Sequence, residues 1–187
     1  LQKLIASRGL ASRRQAEQWI SDGRVRVNGA PAQLGDTADP ARDAITVDGA
    51  PLSAAPQSVY VMLHKPRGYI TTLRDERGRK TVQDLLHDCP VRVHPVGRLD
   101  QYSEGLLLLT NDGDLAHRII SPRHGVWKRY YAEHEGQAAD ADVQAFADGL
   151  TLADGLHCLP ARLTPLGPGR SVVEVQEGKY HQVRRML

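Results

Sequence analysis

Residues 97–113 read GRLDQYSEGLLLLTNDG, and the larger part of the chain is organised around them. Leu106–Thr110 predicts a buried strand, because a short apolar run bounded by turn residues is typical of a sheet interior. Val91–Val96 predicts a second strand, and the glycine-bearing turn between the two carries Asp100 at its tip. Catalytic groups are often displayed on such loops. An aspartate beside an arginine is also a common turn or salt-bridge residue, so spacing alone leaves both roles open for Asp100.

The elements on either side of this stretch follow from local signals. Strands are predicted over Val59–Leu63 and Lys128–Glu135, a helix over Asp114–Ile120, and a short helix capped by Thr81 over Val82–Leu86. Alternation along a strand places one of Tyr130 and Tyr131 inside and the other outside. Six Lys or Arg residues lie between Lys65 and Lys80. That basic segment is either a nucleic-acid contact or a solvated turn.

The front of the chain predicts two short helices and a β-hairpin. Gly9 ends the first helix, Ser12 caps the second, and Gly23 ends it. Asn28-Gly29 is a strong hairpin turn. The apolar faces of the helices comprise Leu1, Leu4, Ile5, Ala16, Trp19 and Ile20. The basic side chains on the exposed faces suit a phosphate backbone, and they are Lys3, Arg8, Arg13, Arg14, Arg24 and Arg26.

Length and composition exclude several classes of protein. The chain has 187 residues, 41% hydrophobic and 25% charged, which is typical of one globular domain or of one with a small appendage. Its longest strongly apolar run, Leu106–Leu109, is too short to cross a bilayer. No signal peptide opens the chain. Cys89 and Cys158 lack CxxC spacing and the eight histidines form no HxxxH motif, so we expect no metal site.

Charge is segregated along the chain although the net charge is only +2. Residues 1–30 contain six Lys or Arg against two acids, whereas residues 136–178 contain two Arg against six acids. Residues 179–187 contain three basic residues and no acid. This distribution favours a polyanionic partner met by particular faces, and chance clustering on a solvated surface is the alternative.

The front of the chain resembles a known RNA-binding module. Its pattern LxxxxAxxGxxSRRxAExxIxxGxVxVNG is similar to the alpha-L RNA-binding domain, with Ser12-Arg13-Arg14 and Asn28-Gly29 in register. The resemblance implies such a domain over residues 1–48. Residues 49–58, rich in proline and small side chains, are predicted to be a linker.

The remainder resembles the RsuA/RluB branch of the pseudouridine synthases. GRLDQYSEGLLLLTNDGDL is similar to the signature motif of that branch, and HKPRG, KRYYA and EGKYHQVRRM resemble three further motifs in the family's order. The resemblance implies an α+β catalytic domain over residues 59–187 with a mixed, mainly antiparallel sheet. Because the chain begins at Leu1 and stops inside a predicted helix, we expect a trimmed fragment with a truncated C-terminus.

The resemblance also implies roles for single residues. Asp100 is the catalytic carboxylate, Tyr130 stacks on the target base and helps to remove its C5 proton, and Arg184 pairs with Asp100. Arg98, Lys128 and Leu187 are expected to bind substrate. An ionised carboxylate can act as a nucleophile or as a base, and the sequence does not separate these routes for Asp100.

The implied function is isomerisation of a specific uridine in bacterial ribosomal RNA to pseudouridine. No electrons are gained or lost, so no cofactor is expected. The expected partner is ribosomal RNA or a pre-ribosomal particle, and we expect a cytoplasmic monomer without a membrane partner. The ribosomal subunit stays open. The alternatives are a non-catalytic RNA-binding protein on the same scaffold and a methyltransferase, which would need a glycine-rich cofactor loop that is not evident.

Overall fold

A computed structural model describes residues 1–187, which form two compact units. The first unit comprises Leu1–Leu63, Thr72–Pro95 and Leu108–Gly113, and the second comprises His64–Thr71, Val96–Leu107 and Asp114–Leu187. No helix is both long enough and apolar enough to span a bilayer. The predicted α+β class is confirmed by the mixture of helices and strands described below.

The first elements are two helices, α1 (Gln2–Ser7) and α2 (Arg13–Ser21). Ser12 caps α2 as predicted, since its Oγ accepts a hydrogen bond from the Gln15 backbone N–H at 3.2 Å. The helices are followed by a four-stranded sheet in the order β2–β1–β3–β4, whose strands are β1 (Val25–Val27), β2 (Ala30–Pro31), β3 (Ile45–Val47) and β4 (Ala50–Pro51). The core between helices and sheet contains Ile5, Ala16, Ile20, Val25 and Ile45, all buried.

Two turns with positive φ close the hairpins of this sheet. Asn28 and Gly29 have φ of 52° and 84°, and Asp48 and Gly49 have φ of 51° and 81°. Both pairs fit the two-residue hairpin turn whose own twist matches the right-handed twist of the flanking strands. This turn prefers Asn or Asp before Gly. The predicted hairpin turn at Asn28-Gly29 is therefore confirmed. Because β4 pairs with β3, the segment predicted as a linker over residues 49–58 begins with an ordered strand.

The second sheet has the strand order β8–β10–β9, with β8 (Lys128–Glu133), β9 (Arg162–Gly167) and β10 (Arg170–Val175). Helix α4 (Asp140–Asp148) covers it. The core between them contains Phe146, Cys158, Leu163 and Val173, all buried. The aliphatic core that a chain with 5% aromatic residues requires is thus present.

The third sheet has the order β5–β7–β6, with β5 (Tyr60–Lys65), β6 (His94–Pro95) and β7 (Gly105–Thr110). The predicted strand over Val91–Val96 is wrong in length, because only His94 and Pro95 pair with β7. Pro95 has no N–H to donate, which shortens the ladder. The prediction that Leu106–Thr110 is buried throughout is also wrong at one end, since Leu106 is 66% exposed.

The remaining elements are helical. They are α3 (Gly113–Ile120), α5 (Gln182–Met186) and two short 3₁₀ helices at Val82–Leu85 and Pro122–His124. Thr81 precedes the first 3₁₀ helix as predicted, and its backbone N–H donates to the Asp84 carboxylate at 2.8 Å. The strand pairs β1–β2, β1–β3, β3–β4, β6–β7, β8–β10 and β9–β10 are antiparallel, which confirms the mainly antiparallel character.

Substitution of two leucines of β7 shows which face of this strand stabilises the fold. Leu109 is 1% exposed and Leu106 is 66% exposed. We expect Leu109→Ala to lower the free energy of unfolding by about 2–5 kcal/mol, because it removes buried methyl groups and leaves a cavity. Leu106→Ala should change it by less than about 0.5 kcal/mol. Urea unfolding followed by circular dichroism measures both, and equal losses would contradict the burial of this strand.

Candidate active site

Asp100 lies in the loop between β6 and β7, with 28% of its side chain exposed. The loop begins at Gly97, whose φ of 85° is strained for any residue with a side chain. The Ser103 backbone N–H donates to the Asp100 carbonyl at 3.1 Å and closes a turn. The carboxylate is therefore carried by a tightly folded segment.

The ammonium group of Lys65, at the end of β5, holds this loop. The side chain is fully buried. Its Nζ donates to the carbonyl oxygens of Ser103 at 2.7 Å, Asp100 at 3.0 Å, Pro66 at 3.1 Å and Gln101 at 3.3 Å. Burial lowers the pKa of Lys65, and the negative charges of Asp100 and Glu104 oppose that shift. A buried ammonium and buried carbonyls are each costly without partners, so lysine and loop depend on each other.

Residues after Lys65 hold the loop from a second direction. Oγ1 of Thr71 donates to the Leu99 carbonyl at 2.7 Å and accepts from the Leu99 N–H at 3.2 Å. The Gly68 N–H donates to the Gln101 carbonyl at 2.8 Å. These bonds fix the backbone immediately before and after Asp100.

His181 is the neighbour of Asp100 in this region, with 3.6 Å between its Nε2 and Oδ1 of the carboxylate. Its ring stacks on Tyr180, with centroids 3.8 Å apart and planes at 20°. The backbone of His181 is left-handed, at φ 49° and ψ 34°, which costs about 1–2 kcal/mol for a residue with a side chain. Such a conformation persists only where surrounding contacts impose it.

Buried polar groups impose that conformation on the segment before α5. Nε2 of Gln182 donates to Oε1 of Glu177 at 2.9 Å, and both side chains are buried. The same carboxylate oxygen accepts the Leu159 N–H at 2.9 Å. The Lys179 N–H donates to Oε1 of Gln182 at 2.9 Å. This network fixes the turn that brings His181 to Asp100.

The two adjacent tyrosines of β8 lie on opposite faces, as alternation predicts. Tyr130 packs against the core of the second sheet, whereas Tyr131 is 58% exposed. Burial, and then the negative charge of Asp100, raises the pKa of Tyr130 above its ordinary value. The phenol and the carboxylate are therefore close enough to interact electrostatically, and the phenol stays protonated at neutral pH.

The other predicted site residues differ in their exposure and in their contacts. Arg184 is exposed on α5, three residues after His181, and Arg185 pairs with Asp154 at 2.5 Å. The predicted pairing of Arg184 with Asp100 stays a prediction. Nζ of Lys128 donates to the Gln176 carbonyl at 3.0 Å, and burial lowers its pKa. Arg98 and Leu187 are exposed.

The basic residues predicted to contact RNA differ in their surroundings. Lys3, Arg13, Arg14 and Arg26 are exposed. Arg24 donates to both carboxylate oxygens of Asp48, at 2.8 and 2.5 Å, and lies 4.8 Å from the ring centroid of Trp19. Arg8 was expected to be exposed, and this is wrong: the residue is half-buried because it lines a cavity at the end of α1, and its buried Nε has no hydrogen-bond partner.

Several cations of the basic segment between Lys65 and Lys80 have intramolecular partners. Arg79 pairs with Asp75 at 2.6 Å and, with backbone N–H groups, lowers the pKa of that carboxyl to about 2. Arg67 pairs with Glu104 at 3.5 Å. Together with the buried Lys65, these contacts favour a structural role for part of the segment.

Sequence analysis missed the roles of three residues at this site. Lys65 and Thr71 act through contacts with a loop about 30 residues away, and the sequence gives no local signal of them. His181 carried a weak signal, since it lies inside the motif EGKYHQVRRM.

The assembled group is suited to proton transfer or covalent chemistry without a metal ligand set. A half-buried carboxylate is flanked by an imidazole and a protonated phenol, and its loop is held rigidly. A carboxylate in such a setting can attack an electrophilic carbon or remove a proton. A tyrosine ring beside it can stack on a planar base.

Comparison with known proteins gives two family matches. A model described as RNA pseudouridylate synthase matches residues 59–187, and the S4 domain model matches residues 1–41. A solved structure described as a pseudouridylate synthase is similar with a TM-score of 0.68 and 32% identity, over all of this chain and 80% of that one.

Curated relatives agree with these matches. An RNA pseudouridine synthase of Aquifex aeolicus, itself uncharacterized, is 41% identical over all of this chain and 77% of its own length. The ribosomal large subunit pseudouridine synthase B of Bacillus subtilis is 38% identical over all of this chain and 78% of its own length. The enzyme of the same name from Pseudomonas aeruginosa is 38% identical over all of this chain and 50% of its own length.

The Lys65 contacts predict how the loop responds to loss of the ammonium. We expect Lys65→Met to lower the free energy of unfolding by about 2–3 kcal/mol, because buried carbonyls lose their donor. Amide hydrogen exchange over residues 99–104 should also accelerate. Arg67→Met is the matched control, since its exposed pair with Glu104 is worth at most about 1 kcal/mol. Unchanged exchange in the Lys65 variant would contradict the role of Lys65 in the loop.

Proposed function

The chain belongs to the RNA pseudouridylate synthase family, and from this premise we propose that it converts a uridine of large-subunit ribosomal RNA to pseudouridine with Asp100 as the catalytic carboxylate. The observation that carries the proposal is the Asp100 loop, held by buried Lys65 beside Tyr130 and His181. The chain is an isomerase of RNA, as its family is, and its S4 match supports binding of that RNA.

The reaction balances without a redox partner. The bond from N1 of uracil to C1′ of ribose breaks, the base turns, and a bond from C5 to C1′ forms. C5 loses its proton and N1 gains one, so substrate and product are isomers. The enzyme therefore has to stabilise the detached base, hold it near C1′ and move one proton.

Asp100 is proposed to act on the ribose or the base in one of two ways. As a nucleophile, the carboxylate bonds covalently to substrate and departs when C5 joins C1′. As a base, it removes a sugar proton and returns it later. Both routes need an ionised carboxylate at a fixed position, which the contacts of Lys65 and Thr71 with its loop support.

Arg184 and His181 are proposed to act on Asp100 electrostatically. Arg184 is proposed to approach Asp100 from α5, the helix that begins directly after His181. When RNA covers this region, exclusion of water strengthens the attraction between a guanidinium and the carboxylate. Arg98, Lys128 and Leu187 are proposed to contact the nucleotide around it.

Tyr130 is proposed to stack on the extruded uracil. The target nucleotide has to leave its helix, which costs a few kcal/mol, and a ring face repays part of that cost. Burial, and then the charge of Asp100, raises the pKa of Tyr130, so its hydroxyl is protonated at neutral pH. To accept the C5 proton, the phenol first has to give its own proton to N1 of the detached base, which gains one in the reaction.

Ribosomal RNA of the large subunit is the proposed substrate because two relatives carry that substrate in their names. The exposed Lys3, Arg13, Arg14 and Arg26 are proposed to bind phosphates and position the RNA. Arg24 contributes less in this proposal, because Asp48 already neutralises its charge.

Mapping of pseudouridine tests the substrate and Asp100 together. Transcripts of large- and small-subunit ribosomal RNA are incubated with the protein, and carbodiimide-reactive positions are located by primer extension. We expect one new position in the large-subunit transcript. Asp100→Asn should slow its formation at least about 10⁴-fold, because the amide neither attacks nor accepts a proton.

The control for this experiment is Asp88→Asn, which changes charge identically at an exposed loop position. It should react at the parent rate. An Asp100→Asn variant as active as the parent would overturn the mechanism. A new position in the small-subunit transcript alone would overturn the proposed substrate and leave Asp100 standing.

The pair Tyr130 and Tyr131 separates the buried phenol from the exposed one. We expect Tyr130→Phe to lower kcat by about 10²-fold or more while KM changes little, because the stacking ring remains and the hydroxyl is lost. Tyr131→Phe should leave both constants within about twofold, since its hydroxyl lies on the opposite face. Single-turnover rates measured on the mapped transcript give these constants. Equal effects of the two substitutions would exclude a specific role for the Tyr130 hydroxyl.

A further inference from the structure

The first unit contains a cavity of about 220 Å³, and no residue of the Asp100 loop lines it. The ionisable residues of its lining are basic, comprising Arg8, Arg92 and His94, and no carboxylate lines it. Such a cavity has an environment that favours an anion. The volume corresponds to about seven waters, enough for a phosphate group with part of a sugar.

Arg8 supplies the strongest indication of a missing partner. Its side chain is half-buried at the end of α1, and its Nε is buried without a hydrogen-bond acceptor. A buried donor of a charged group that lacks an acceptor is costly. A guanidinium in this state is satisfied by a phosphate group, two of whose oxygens accept parallel hydrogen bonds from it.

Arg92 and His94 extend the basic wall on the side of β6. Burial, and then the positive charges of Arg92 and Arg13, lowers the pKa of His94. The imidazole is therefore neutral at pH 7, where it offers an N–H donor while Arg8 and Arg92 supply the charge.

The neutral polar side chains of the lining have partners inside the protein. Asn111 accepts the Val59 N–H at 2.8 Å and donates to the Gln57 carbonyl at 2.9 Å. The Ser7 hydroxyl donates to the Leu4 carbonyl at 2.8 Å. The donors of the cavity available to a ligand are thus the basic groups.

We propose that this cavity binds one phosphodiester group of the RNA substrate through Arg8, Arg92 and His94. The proposal rests on the proposed function, which makes the substrate an RNA. The lining draws residues from both matched segments, Arg8 from 1–41 and Arg92 and His94 from 59–187. A phosphate held there binds both segments and fixes the register of the RNA.

The test is equilibrium binding of a large-subunit ribosomal RNA transcript to the full chain by filter retention, from 50 to 300 mM KCl. Arg92→Ala is the variant of choice because Arg92 is exposed and its loss does not threaten folding. We expect the affinity at 100 mM KCl to fall about tenfold. The slope of log K against log salt should shrink by about 0.7–0.9, the value for one lost phosphate contact.

Arg42→Ala is the matched control, since it removes the same charge from the same unit at a side chain that is 86% exposed. Its affinity should stay within twofold and its salt slope unchanged. Arg92→Lys should retain the salt slope, because it keeps the charge. Equal salt slopes for Arg92→Ala and the parent would overturn the proposal.

Inorganic phosphate distinguishes a site for RNA from a site for a small free anion. We expect phosphate titrated into the full chain to bind only weakly, in the millimolar range. Tight phosphate binding that Arg92→Ala abolishes, with an unchanged RNA salt slope, would overturn the assignment to RNA. Because the readout is binding, it can be repeated with Asp100→Asn, so failure of the proposed reaction and failure of this site are distinguishable.

Discussion

One buried ammonium group holds the loop that carries Asp100. Lys65 ends an apolar strand, so its charge is carried into a region where water cannot solvate it. The carbonyls of Asp100, Gln101 and Ser103 replace that water. Their convergence on one nitrogen forces the loop into a single conformation, and the positive charge lies beside the carboxylate it presents. The burial of the Lys65 charge and the rigidity of the Asp100 loop therefore depend on the same hydrogen bonds.

Local rules account for the elements that were correctly predicted. The cap at Ser12 and the turn at Asn28-Gly29 follow from a few neighbouring residues, and both form as expected. The errors occurred where distant residues decide. The strand predicted over Val91–Val96 keeps only two paired residues, and Leu106 faces outward although Leu107 and Leu109 are buried. Pairing register and layer order fix these features, and a run of leucines specifies neither.

The candidate site shows the same limit. The motif EGKYHQVRRM contains several cations, and sequence resemblance singled out Arg184. The structure brings His181 to within 3.6 Å of Asp100 because the helix starts after a left-handed residue. That conformation depends on the buried pair of Glu177 and Gln182, whose interaction the spacing of the motif does not reveal. Side-chain direction at a helix start is thus set by the network before it.

Net charge and locally placed cations have different roles in the proposed recognition of RNA. A net charge of +2 gives little long-range attraction for RNA, and Asp48 cancels Arg24 within the front of the chain. In the proposed function, affinity for RNA therefore comes from a small number of exposed cations at fixed positions. Contacts between cations and phosphates position the RNA but do not distinguish its sequence. In the proposed function, the surroundings of Asp100 and Tyr130 therefore select the base. Selection of the uridine in the proposed function therefore requires both sets of contacts at once.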